Sequence, residues 1–148
     1  MKNRKLIIGS VLFLGVCLTS LTLRLMGQPR EAIETWQQVL GIARQFQNKK
    51  GEAIALNYIG LNYDKISQPQ EALKYYNQVL PIMRELGDRS GEATTLSNIG
   101  AVYNSISQPE EALKYYNEAL PITQEVGDRS GEATTLSKIG RASCRERV

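Results

Sequence analysis

From about residue 30 onward, apolar side chains follow a helical rhythm. In Gly91–Ser130, Leu96, Ile99, Gly100 and Tyr103 stand three, one and three apart, which puts them on one face of a helix. Ala112, Tyr116, Ala119 and Leu120 do the same further on. Between these stretches lies Ser107-Gln108-Pro109. Proline suits a first helical turn, where its missing N–H is not needed, and Ser107 is placed to help cap. The second predicted helix ends near Gly127, and Asp128 or Ser130 can cap the next one. The pattern predicts a helical hairpin.

The hairpin recurs. Shifted back by forty residues, Gly91–Ser130 falls on Gly51–Ser90 with 26 of 40 positions identical. Gly131 to Ser137 opens a third copy. Gln28 to Ile33, followed by Trp36, Val39 and Leu40, matches the second half of a copy. A fixed period of this length predicts a stacked array in which each unit buries its apolar face only against its neighbours. The expected segments are a partial repeat at 28–50, full repeats at 51–90 and 91–130, and a truncated one at 131–140. Trp36 takes the slot of Tyr76 and Tyr116, so core packing is its expected role. Gln47 to Lys50 is a polar joint equivalent to Gly87–Ser90.

These residues resemble the tetratricopeptide repeat. Its pattern of an apolar residue, an apolar-glycine pair, tyrosine, alanine, an aromatic and a small residue falls on Leu56, Ile59-Gly60, Tyr63, Ala72, Tyr76 and Val79. The next copy places it on Leu96, Ile99-Gly100, Tyr103, Ala112, Tyr116 and Ala119. Gly100 and Ala112 are small where two helix backbones would approach, and the tyrosines fill the gaps beside them. The resemblance implies an all-α fold, a right-handed α-solenoid of antiparallel helix pairs. The period of forty exceeds the family's usual length of about 34. Helices about a turn longer are therefore expected, as in the repeats of kinesin light chains and of many bacterial scaffold proteins. Pro81 and Pro121 fall inside the second helices. Each removes a backbone bond to Asn77 or Asn117, at roughly 3 kcal/mol in a plain helix, and a bend is expected there.

Both ends depart from the repeat. Lys2, Arg4 and Lys5 precede Leu6–Leu23, eighteen residues without charge. Residues 1–27 are thus expected to be a signal peptide or membrane anchor, with the repeats outside the cytoplasm. A worn first helix is the competing reading: Val16 and Leu23 suit apolar positions, but Thr19 and Ser20 replace Ile-Gly. A repeat helix needs one wet side, which this stretch lacks. At the other end, Ile139–Val148 resembles a translated sequencing adapter, and Ser143 stands where Tyr63 and Tyr103 do in the full copies. Residues 141–148 are therefore expected to be a non-native tail on a chain that naturally continues.

The net charge of +3 conceals this organisation. Three basic residues lie in 1–5, and a surplus of three lies in 138–148. That leaves 24–137 with 11 basic and 14 acidic side chains. Such a mildly acidic array carries no electrostatic footprint for nucleic acid. The chain has no histidine, which excludes imidazole bases and His-ligated metal. Cys17 and Cys144 lie outside the repeats and suggest no disulfide framework. Carboxylates are expected on solvated faces, with Glu111 and Lys114 a surface pair. Asp88-Arg89 and Asp128-Arg129 recur at the joints and so read as structural. No catalytic, cofactor-binding or metal-ligating residues are expected.

The resemblance implies a protein-binding groove lined by the first helices. Its positions here are Asn57, Leu61, Asp64 and Lys65, then Ser97, Ala101, Asn104 and Ser105. Only Lys65 is basic, so the clamp that some relatives close on a terminal carboxylate is not supported. The expected partner is a protein or peptide, with self-association open to so short an array. The alternative is a sensor region of a larger bacterial protein with an effector such as a CHAT protease. A stand-alone enzyme is disfavoured.

Overall fold

The computed structural model describes residues 28–146, and among them every regular element is a helix. The helices are α1 (Pro29–Gln45), α2 (Lys49–Lys65), α3 (Pro69–Leu86), α4 (Arg89–Ser105), α5 (Pro109–Glu125) and α6 (Arg129–Glu146). Each has 17 or 18 residues. With joints of two or three residues they fill the forty-residue period. The expected leader lies outside the described residues. No described helix is long and apolar enough to cross a membrane.

The joints show how the chain reverses within so few residues. Each contains one residue with positive φ: Gln47 at 53°, Ser67 at 58°, Gly87 at 66°, Ser107 at 61° and Gly127 at 70°. A left-handed residue after the last turn lets the next N–H close back on the helix, as when Gln108 donates to the Tyr103 carbonyl at 2.9 Å. Ser107 therefore ends α4 and does not cap α5. The N-cap is Gln108, which makes no side-chain cap bond, and Pro109 is the first helical residue. The joints that follow second helices do carry side-chain caps. Asn48, Asp88 and Asp128 accept from the N–H groups of Gly51, Gly91 and Gly131 at 2.8–2.9 Å. Asp128, not Ser130, is the cap of α6.

The chain divides into two compact units at Tyr75/Tyr76, inside α3. In the first, α1 packs on α2. Ala32, Trp36, Val39, Ala53, Leu56 and Ile59 are all buried. Trp36 stacks on Tyr58 with ring centroids 4.4 Å apart, as its core slot predicts. Tyr63 stacks on Tyr75 at 5.4 Å. In the second unit α5 lies against α4 and α6. Ala93 and Leu96 meet Ala119 and Ile122, with Leu80 and Tyr115 around them. Ala112 and Tyr116 meet Ala142, flanked by Tyr103, Leu113 and Ile139. Tyr103 stacks on Tyr115 at 5.4 Å, repeating the Tyr63–Tyr75 pair forty residues on.

At Gly100 the two helices α4 and α5 lie close together. A Cβ built there would lie 2.7 Å from Tyr116 Cε1 and 3.1 Å from the Ala112 carbonyl oxygen. Only a residue without Cβ lets α4 and α5 meet at this point. Pro81 and Pro121 lie within continuous helices, with α3 and α5 each running on past its proline. Both prolines are exposed, as are Asn77 and Asn117, whose carbonyls lose their helical donor. Water can serve those carbonyls, which keeps the loss below the cost of a buried orphan. α6 runs past residue 140 to Glu146, with Ala142 fully buried.

Candidate functional site

A repeated ion-pair pattern ties each second helix to the next first helix. Arg44 Nε meets Glu52 at 2.9 Å and Arg84 Nε meets Glu92 at 2.7 Å. In the third copy Gln124 Nε2 donates to Glu132 at 2.8 Å. Arg89 adds a link, with one guanidinium nitrogen on Glu92 and the other on Glu125 at 2.8 Å. Glu92 is 5% exposed, so one carboxylate departs from the solvated faces predicted for them all. Burial by itself would raise the Glu92 carboxyl. The hydrogen bonds and charges of Arg84 and Arg89 outweigh it, and the net shift is downward. These groups are consumed in holding helices together. The Asp88-Arg89 pair is likewise structural, one residue capping α4 and the other bridging to α5.

The predicted groove positions lie on α2 and α4. Asn57, Leu61 and Asp64 are half-buried along α2, and Lys65 is exposed at its end. Burial raises the Asp64 carboxyl above its ordinary range. On α4, Ser97, Ala101 and Asn104 are half-buried and Ser105 is exposed. The Ser105 hydroxyl donates to the Val102 carbonyl at 2.7 Å and so finishes its own helix. Ser97 and Asn104 line two open depressions between α4 and α6. The first, of about 290 Å³, is bordered by Ser90, Thr94, Ser97, Ser130, Thr134 and Lys138. The second, of about 520 Å³, joins Asn104 to Ser137, Gly140, Arg141, Cys144 and Arg145. Neither of these two is lined by Ala101 or Ser105.

Thr94 and Thr134 belong to the first depression and are absent from the predicted positions. Each hydroxyl donates to a carbonyl one turn back, to Ser90 at 2.9 Å and to Ser130 at 2.8 Å. With their protons committed, both oxygens are left as acceptors. The available signal was their common register, one turn before Ser97 and Ser137. Across the second depression, Arg145 donates to the Asn104 carbonyl at 2.8 Å. Lys138 Nζ sits 5.8 Å from the centre of the Tyr116 ring. Burial, and then the Arg141 charge, lower its affinity for a proton. Among the described residues no group of three His, Cys, Asp or Glu is placed to hold a metal ion.

Helices that recur every forty residues and pack small and aromatic residues against one another within each unit define a helical-hairpin repeat protein. The chain belongs to the tetratricopeptide repeat family, whose pattern matches residues 20–85 and 91–147. Such repeats generally serve protein–protein interaction. No curated protein sequence matches the chain. Among solved structures it is similar to the repeat domain of Arabidopsis FLU, at 20% identity and a TM-score of 0.73, covering 79% of this chain and 98% of that one. It is also similar to a signal transduction ATPase with numerous domains from Pyrococcus horikoshii, which carries a tetratricopeptide repeat sensor. There the identity is 16% and the TM-score 0.85, over 94% of this chain and 22% of that one. A third is a kinesin light chain candidate of Podosopora anserina with nearly identical TPR-like repeats. It shows 17% identity and a TM-score of 0.75, over 89% of this chain and 65% of that one. These likenesses establish the fold.

Proposed function

We propose that the chain is a protein-binding module that acts by shape and hydrogen bonding, without chemistry of its own. The observation that carries this reading is the depression between α4 and α6. Its rim is made largely of hydroxyls with the Asn98 amide; of its charged side chains, Asp128 caps α6 and Lys138 lies against the Tyr116 ring. Acceptor oxygens at Thr94 and Thr134 suit a partner that presents N–H groups, as an extended peptide backbone does. On α2, a lysine or arginine of a partner would relieve the burial of Asp64. In the second unit the proposed contacts are Ser97, Ala101, Asn104 and Ser105, extended to Thr94 and Thr134; in the first, taken by itself, they are Asn57, Leu61, Asp64 and Lys65.

Selection of displayed peptides on the immobilised chain tests this. Enriched peptides should bind the parent and lose at least about tenfold in affinity to Ser97→Arg, whose side chain fills the depression. Circular dichroism should show that variant to be as helical as the parent. No enrichment over an unrelated helical protein, or binding indifferent to Ser97→Arg, would sink the reading.

We propose further that the repeats act outside the cytoplasm behind the apolar leader, as part of a longer protein whose effector they regulate. The P. horikoshii ATPase supports the regulatory half of this reading, because its repeats form a sensor within a far longer chain. Fusion of residues 1–27 to a reporter active only after export tests the first half. An inactive reporter overturns it.

A further inference from the structure

Two tyrosine pairs take no part in the groove. Within the first unit, Tyr63 on α2 stacks on Tyr75 on α3, with ring centroids 5.4 Å apart and planes 12° from parallel. Within the second, Tyr103 on α4 stacks on Tyr115 on α5 at the same distance and 10°. Each pair links the first helix of a hairpin to the second, twelve residues on in sequence. The aromatic slot of the core is filled by the residues that follow, Tyr76 and Tyr116, each 1% exposed. The four stacked rings are half-buried instead, so each pair keeps contact with solvent. Burial first, and then the neighbouring phenol, raise the Tyr63 and Tyr115 hydroxyls above the ordinary tyrosine range. Those two phenols therefore hold their protons at neutral pH. Stacking alone would be served as well by phenylalanine.

We propose that each pair is a site of oxidative coupling, at which a one-electron oxidant of the haem-peroxidase class, driven by hydrogen peroxide, joins the two rings into a dityrosine that staples the hairpin. Each phenol gives one electron to the oxidant and its hydroxyl proton to water, which leaves two neighbouring phenoxyl radicals. A carbon ortho to the oxygen (a Cε) on one ring bonds to its counterpart on the other. Each of these carbons then loses its hydrogen as a proton while the oxygens regain theirs, which restores both phenols. The balance is two tyrosines and one hydrogen peroxide giving one dityrosine and two waters. Stacking supplies what the coupling needs, because rings already held together replace a bimolecular encounter by an intramolecular one. The new bond closes a short loop around the joint at 66–68 or at 106–108, and so restricts the unfolded chain as a disulfide does.

The experiment treats the full 148-residue chain, dilute and monomeric, with a haem peroxidase and hydrogen peroxide. Dityrosine fluorescence should appear, with the mass of two hydrogen atoms lost per staple and a single-chain band on a denaturing gel. Tryptic mapping should join Tyr63 to Tyr75 and Tyr103 to Tyr115. Coupling should run at least about tenfold faster in the folded chain than in urea, where the pairing is lost. The stapled chain should melt roughly 5 °C or more above its parent. Tyr103→Phe should remove one link and leave the other, and Tyr63→Phe combined with Tyr103→Phe should remove both. Circular dichroism checks that these variants fold, and the map of the parent stands without them. Equal rates in buffer and in urea overturn the proposal. So do links found only between chains or through Tyr58, Tyr76 or Tyr116, and so does a stapled chain that melts no higher than its parent.

Discussion

Gly100 and Gly140 occupy the same repeat position, yet they should respond in opposite ways to one methyl group. Gly100→Ala drives a Cβ into the buried Tyr116 ring and toward the Ala112 carbonyl, at 2.7 and 3.1 Å. The ring and helix must move, and a loss of about 1–3 kcal/mol is expected. Gly140→Ala meets open space and should gain about 0.5–1 kcal/mol from helix propensity. Urea denaturation of both variants checks the signs. Glu92 provides a pH-dependent test. Its folded-state affinity for protons is depressed, so its contribution is present above the ordinary glutamate value of about 4.3 and disappears as pH falls through the lower folded value. Glu92→Gln should cost about 1–2 kcal/mol at pH 7, discounted because both arginines are half exposed. The difference from the parent should close below about pH 4. A gap that stays constant from pH 7 to pH 3 would mean that the side chain acts by packing alone. The slot of Gly100 was legible because Ile-Gly recurs in register. The burial of Glu92 was not, because a carboxylate at a helix start looks the same whether it faces solvent or an arginine of the preceding helix.

The helices were legible as elements because the 3.6-residue rhythm persists through each and proline or an Asx cap marks its start. The joints were less so. Ser67 and Ser107 take left-handed backbone angles that serine seldom adopts, so Ser107 read as a cap when it is in fact the reversing residue. The prolines were expected inside α3 and α5, with a bend at each, and both helices do run on past them. Their tolerance rests on exposure, since Pro121 and the stranded Asn117 carbonyl both face water. Pro121→Ala restores the donor and removes the ring, and should raise stability by about 1–2 kcal/mol while helical content stays within error. Thermal and urea unfolding followed by circular dichroism would show it. A loss of stability would mean that the proline ring makes contacts that its exposure hides, or that it restrains the unfolded chain more than it burdens the folded one.

In an array, stability is close to a sum over units and over the contacts between neighbours. The exposure of Leu136, in the register where Leu96 is buried under α5, depends on what lies over it and not on the sequence of α6 itself. The groove positions could be assigned from the sequence only by resemblance, since Ser97 and Asn104 have no distinctive chemistry until α6 is placed beside them. Replacing residues 141–148 with a copy of Ala101–Ser130 would supply the cover. The melting temperature should rise by roughly 5 °C or more, as an added interface predicts. The decisive comparison is Leu136→Glu in both backgrounds. In the present chain the substitution falls on a half-exposed side chain and should be near neutral. In the extended chain it buries a carboxylate without a partner and should cost on the order of 3 kcal/mol or more. A single substitution that changes from silent to severe when one helix is added would show that the end of α6 is a helix-binding face. Equal effects in the two backgrounds would show that the added helix docks elsewhere.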